Sequence, residues 1–127
     1  MEEFHGIQVY EILENGNLLN AVYTNTRLLL KNGIDYYIDS EIARKVKKAS
    51  YDNKELEWLY DNNGVEGLYY CRYIEANNPS VEHCYLEISK RNGVYEFTWI
   101  DQNKNPRWKG LGLMSGTSHI AVSYIGV

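Results

Sequence analysis

The chain has two cysteines, two prolines and three histidines in 127 residues. No run of apolar residues approaches the roughly 18 needed for a membrane-spanning helix. Each shortage excludes something. Cys71 and Cys84 are too few for a disulfide framework, and they lack the Cys-x-x-Cys spacing of a metal knuckle, so both read as ordinary buried thiols. His5, His83 and His119 show no His-x-His or His-x-x-x-His spacing, so the sequence offers no zinc site and implies no cofactor. Basic residues are outnumbered 17 to 13, for a net charge of −4; the isoelectric point is near 5.4. That balance argues against nucleic acid or an anionic membrane as partner, since both require a basic face. The N-terminus, Met1-Glu2-Glu3-Phe4-His5, has neither a basic nor an apolar segment of the signal-peptide kind, and the expected location is cytoplasmic.

What is present is alternation and turns. With 44% hydrophobic and 24% charged residues, the composition is that of a single globular domain large enough to bury a core without staples. Asn15-Gly16 and Asn92-Gly93 are both hairpin signals, because Asn-Gly accepts the positive φ angles of a type I′ turn. The chain around the first reads as a worn copy of the chain around the second. Gly16 answers Gly93 and Gly33 answers Gly110 at an offset of 77, and Ile42 answers Ile120 at 78. This predicts one domain made of two related halves, about residues 4–50 and 81–127, with 51–80 connecting them.

The strand candidates are Ile7–Leu13, Leu18–Thr24, Leu28–Ile38, Glu41–Lys47, Gly67–Glu75, Val81–Lys90, Val94–Asp101, Arg107–Met114 and His119–Ile125. Glu41–Lys48 also has helical spacing at Ile42, Ala43 and Val46, and Asn53–Tyr60 fits a short helix or a strand. With no convincing long helix, short turns between strands predict an all-β meander. Eight to nine strands match the number at which an antiparallel up-and-down sheet closes into a barrel holding side chains or one small ligand. A two-sheet sandwich is the alternative.

Arg107-Trp108-Lys109-Gly110-Leu111-Gly112-Leu113, followed by Ile120-Ala121-Val122-Ser123-Tyr124, resembles the closing strands of small bacterial calycin-like barrels, which are related in shape to avidins, lipocalins and fatty-acid-binding proteins. The resemblance is strongest over Gly67–Val127. It departs from the lipocalin pattern at Gly6-Ile7-Gln8, where Gly-x-Trp would stand. It implies the barrel fold and the habit of holding a small molecule in the barrel mouth, and it transfers no functional residue.

The aromatic set is the main candidate for a site. Tyr95, Phe97 and Trp99 share one strand face, and Tyr69 and Tyr73 share another. Turned inward, these faces line a cavity with flat apolar walls and a few hydroxyls. The candidate ligand-binding residues are Tyr69, Tyr73, Tyr95, Trp99, Trp108 and Tyr124; the alternative is that the rings simply fill a small barrel and leave no cavity. With the faces reversed, Arg72 points inward with Tyr70 as an anchor for an anion. Glu41 and His119 occupy equivalent repeat positions, either as two exposed strand ends or as an acid–base pair meeting across the barrel. No nucleophilic triad or phosphate cradle is legible.

Three functions compete. The first is a non-catalytic barrel holding a small amphipathic or aromatic ligand. The second is an interaction protein of the immunity or phage counter-defence kind, acting through its surface and in places as a homodimer. The third is a cyclase- or decarboxylase-type barrel enzyme, which requires an ionisable group buried in the cavity.

Overall fold

The computed structural model describes residues 4–26, 38–50, 56–74 and 81–127. Their strands are β1 (His5–Leu13), β2 (Leu18–Asn25), β3 (Asp39–Lys45), β4 (Gly67–Ile74), β5 (Val81–Arg91), β6 (Val94–Ile100), β7 (Pro106–Ser115) and β8 (His119–Gly126). Each pairs antiparallel with the next, and β1 pairs with β8, so the sheet is a closed eight-stranded up-and-down barrel. Among the described strands, closure leaves no sheet edge for another chain to extend. The barrel, not the sandwich, is the fold.

The five strands from Gly67 onward fall within two residues of the expected bounds. Glu41–Lys48 is strand up to Lys45, not helix. The expected strand Leu28–Ile38 lies outside the described residues except for Ile38, and β2 pairs directly with β3. Within Asn53–Tyr60, the described part contributes one isolated bridge, Val46 to Trp58. Asn92 and Gly93 have φ of 54° and 81°, the left-handed pair that the β5–β6 hairpin needs. The repeat aligns β1 and β2 with β5 and β6, but equates Ile42 of β3 with Ile120 of β8. By position in the barrel, the counterpart of β3 is β7.

Tyr10, Leu19, Ala43, Tyr69, Leu86, Phe97 and Ile120 form the middle of the core. Rings run through it in contact: Tyr10 to Phe97 at 5.5 Å, Phe97 to Trp99 at 5.7 Å and Trp99 to Tyr124 at 5.5 Å. Such pairs contribute about 0.5–1.5 kcal/mol each beyond the area they bury. The Gly110-Leu111-Gly112 motif makes room for them. Gly110 pairs with Phe97 in register, and a Cβ on Gly112 would stand 2.9 Å from the Phe97 ring. Arg72 lies outside the barrel and is exposed.

One end of the barrel is plugged. Residues 56–66 follow β3 there, and Val65 packs into the core. The Tyr69 hydroxyl is shared between the carbonyls of Gly16 at 2.5 Å and Val65 at 2.8 Å. Asn17 Nδ2 donates to the Asp61 carbonyl, and the Asp61 amide donates back to Asn17 Oδ1, both at 2.8 Å. With these polar groups satisfied, the plug is fixed to the β1–β2 turn. The opposite end is where β2 leaves the sheet and β3 enters it.

Candidate functional site

A cavity of about 50 Å³ lies toward the end of the barrel opposite the plug, enough for a few water molecules. All eight strands contribute to its lining. Gln8 comes from β1, Tyr23 and Asn25 from β2, Glu41 from β3, Tyr73 from β4, Cys84 from β5, Trp99 from β6, Trp108 from β7 and Tyr124 from β8. Alternation puts them there, because each lies an even number of residues from an inward core position of its own strand.

Of the six residues expected to line a pocket, the structure brings four together: Tyr73, Trp99, Trp108 and Tyr124. Tyr69 is fully buried in the plugged end, its hydroxyl committed to Gly16 and Val65. Tyr95, the second residue of β6, lies at that same end and is half-buried there. Tyr73 and Trp108 meet edge to face at 6.4 Å and form the outer wall. Further in, the Tyr124 hydroxyl accepts from Asn25 Nδ2 at 3.1 Å and donates to the Thr24 carbonyl at 3.2 Å. Burial pushes the Tyr124 phenol well above its ordinary pKa, so it acts as a neutral hydrogen-bonding group.

Glu41 is neither of the things expected of it. It is not an exposed strand end, being 5% exposed, and it does not pair with His119. His119 sits at the β7–β8 turn, beside the Ser118 hydroxyl. Glu41 instead forms the polar floor of the cavity. Its Oε2 accepts from Gln8 Nε2 at 3.0 Å and from the Tyr10 hydroxyl, and the Trp99 side chain also hydrogen-bonds to it. Burial raises the carboxyl to about 7, the three donors only partly opposing the shift. Tyr10 is raised far above the usual phenol range, first by burial and then by the Glu41 charge. The Glu41 carboxyl can therefore accept a hydrogen bond in one protonation state and donate one in the other near neutral pH.

Cys84 also faces the cavity, with Cys71 directly opposite it across the β4–β5 ladder. The Sγ atoms of these two free thiols and a carboxylate oxygen of Glu41 lie within 4.8 Å of one another. Spacing along the chain could not show this, because thirteen residues and a change of strand separate the cysteines. The sequence signal for Glu41 was present but ambiguous. In β3, Asp39, Glu41 and Lys45 alternate with Ser40, Ile42 and Arg44, and an isoleucine on the second face draws the apolar side outward.

No helix among the described residues is long and apolar enough to cross a membrane. Comparison with family models, curated proteins and solved structures finds no match for this chain.

Proposed function

We propose that this barrel is a non-catalytic carrier or sensor for a small amphipathic or aromatic molecule, of calycin-like type. The observation that carries the reading is a cavity with aromatic walls that stops on a buried carboxyl held by Gln8 and Tyr10. Pockets of this make-up use flat apolar walls for affinity and a few polar groups for orientation. The 50 Å³ interior fits a small donor-bearing head, such as an amine or hydroxyl, reaching Glu41. A flat body then lies against Trp99, Tyr73 and Trp108 at the mouth. Two free buried thiols suit a reducing, cytoplasmic setting. Native mass spectrometry of freshly purified protein, set against its denatured mass, tests this. An adduct lost in Trp99→Ala supports the reading, and ligand-free protein that also gives no tryptophan fluorescence response to a panel of small aromatic amines and alcohols overturns it.

The outer surface favours a second reading, a surface-acting interaction protein. On β7, β8 and β1, Ser123 lies between Leu111 and Ile7, and Ala121 between Leu113 and Val9. The four large side chains are 60%, 62%, 59% and 40% exposed respectively. This is a contiguous apolar patch of the kind that marks a partner face or a homodimer contact. Sedimentation of the wild type against Leu111→Lys separates the two: a dimer that the lysine dissociates selects the surface reading. The enzymatic reading rests on Glu41 as the buried ionisable group and needs turnover abolished by Glu41→Gln.

A further inference from the structure

Beside the pocket floor the interior holds two thiols that the pocket reading leaves unused. Cys71 and Cys84 face each other across β4 and β5, and Ala43 is opposite Cys71 on β3. Glu41 is two residues from Ala43 on the same inward face. Three strands thus deliver two sulfurs and one carboxylate oxygen to one point, all within 4.8 Å of one another and all buried. We propose that this point binds one thiophilic divalent cation of the zinc class, ligated by Cys71 Sγ, Cys84 Sγ and Glu41, with the fourth position open to the cavity.

Donor chemistry selects the ion. Two sulfurs reject magnesium and calcium, which take oxygen ligands, while a carboxylate among the sulfurs suits zinc better than copper(I). In a tetrahedral zinc site, sulfurs at about 2.3 Å from the metal stand about 3.8 Å apart. The donor atoms here, all within 4.8 Å of one another, are spaced on the scale of such a shell. Charge also works out: two thiolates neutralise the divalent ion, and the remaining negative charge on Glu41 is the one that Gln8, Tyr10 and Trp99 already solvate. Those donors orient the carboxylate from outside the metal shell.

Without a bound ion the three ligands favour their protonated forms. Burial pushes the Cys71 thiol up, with its contact to Cys84 adding to the effect. Binding therefore expels the two thiol protons, and that of Glu41 where it is protonated, into solvent with no change of oxidation state. The cavity touches Cys84 and Glu41 directly, which gives the ion an entry path and leaves room for a water in the fourth position. This inference shares Glu41 with the pocket but does not depend on an organic ligand.

The test is a cobalt(II) titration of chelator-stripped, phosphine-reduced full-length protein, followed by zinc. The expected result is a near-ultraviolet thiolate-to-cobalt charge-transfer band with tetrahedral visible bands, saturating at one equivalent and bleached by one equivalent of zinc. Proton release should accompany saturation in weakly buffered solution. Cys71→Ala and Cys84→Ala should each lower the charge-transfer intensity, and Tyr10→Phe should weaken binding about 10- to 100-fold without changing the band positions. A wild type that gives no band, or a band that survives in the double cysteine variant, overturns the site. The wild-type spectrum decides even where a variant fails to fold, because thiolate ligation is read from the band itself. Zinc binding without an organic adduct leaves this site standing and the pocket reading fallen, and the reverse result separates them equally.

Discussion

Lys45 Nζ lies 2.7 Å from Asp61 Oδ1, although the lysine side chain has no solvent exposure and the aspartate is 21% exposed. The ammonium also donates to the Gly64 carbonyl at 2.6 Å and sits 5.9 Å from the centre of the Tyr69 ring. One buried cation thereby ties β3 to the plug that closes the barrel. The plug closes the barrel at the end away from the cavity, so the stability of this pair bears on the site at the other end.

Asp61→Asn should destabilise the fold by about 2 kcal/mol, below the 3–5 of a fully buried pair because water reaches the carboxylate. Lys45→Met should cost less, since it removes the buried charge rather than orphaning it. Urea midpoints of the two variants check the order. The Lys45 hydrogen bond holds the Asp61 carboxyl below its ordinary pKa. Its contribution is therefore complete above the ordinary carboxylate range and is lost as pH falls through the lowered value.

Glu41 should act in the opposite sense. Its folded pKa is about 7 against 4.5 for the free side chain, so between those values the folded state holds a proton that the unfolded state has released. Stability should fall as pH rises through this window, by up to about 3 kcal/mol, and level off above it. Thermal midpoints between pH 5 and 8 should slope downward in the wild type. In Glu41→Gln that slope should flatten.

Gly6→Ala should cost about 1–3 kcal/mol by overpacking. A Cβ there would lie 2.4 Å from the Tyr124 ring and 2.5 Å from the Thr24 carbonyl oxygen, and the backbone neighbour cannot swing aside. The Tyr124 ring must move, and it lines the cavity. Gly93→Ala meets open space at φ +81° and should cost only about 1 kcal/mol of backbone strain. Paired denaturation curves for the two variants check this contrast.

Tyr85→Phe should lose about 1–2 kcal/mol and release residues 47–50 from the barrel wall. The Tyr85 hydroxyl donates to the Ser50 carbonyl at 2.9 Å and accepts from the Ser50 amide at 2.8 Å. Hydrogen exchange at the Ser50 amide should accelerate in the variant while the β5 amides stay protected.

How much was legible follows from which signals are local. Positive φ at Asn92 and Gly93 and the shared face of Tyr95, Phe97 and Trp99 could be read directly, although not whether that face points inward, because a hairpin turn and a period-two face involve only near neighbours. Trp99, Tyr124, Tyr73 and Trp108 were legible as a possible wall, since aromatic faces in a closing meander have few other places to go. β3 was not. Its inward face is Asp39, Glu41, Ala43 and Lys45, so the rule that apolar residues point inward gives the wrong face there. β1 is similar, with Gln8 buried between exposed Ile7 and Val9.

Local residue patterns carried the all-β class, the positions of most strands and turns, and the aromatic faces from which a pocket wall could be built. Tertiary packing placed the plug against the β1–β2 turn, set Tyr69 and Tyr95 away from the cavity, and brought Glu41 to Gln8, Tyr10 and the two cysteines. Alternation states that a strand has two faces but does not say which one is inside. Inter-strand register, fixed jointly by all eight strands when the barrel closes, decides which side chains from distant parts of the chain touch.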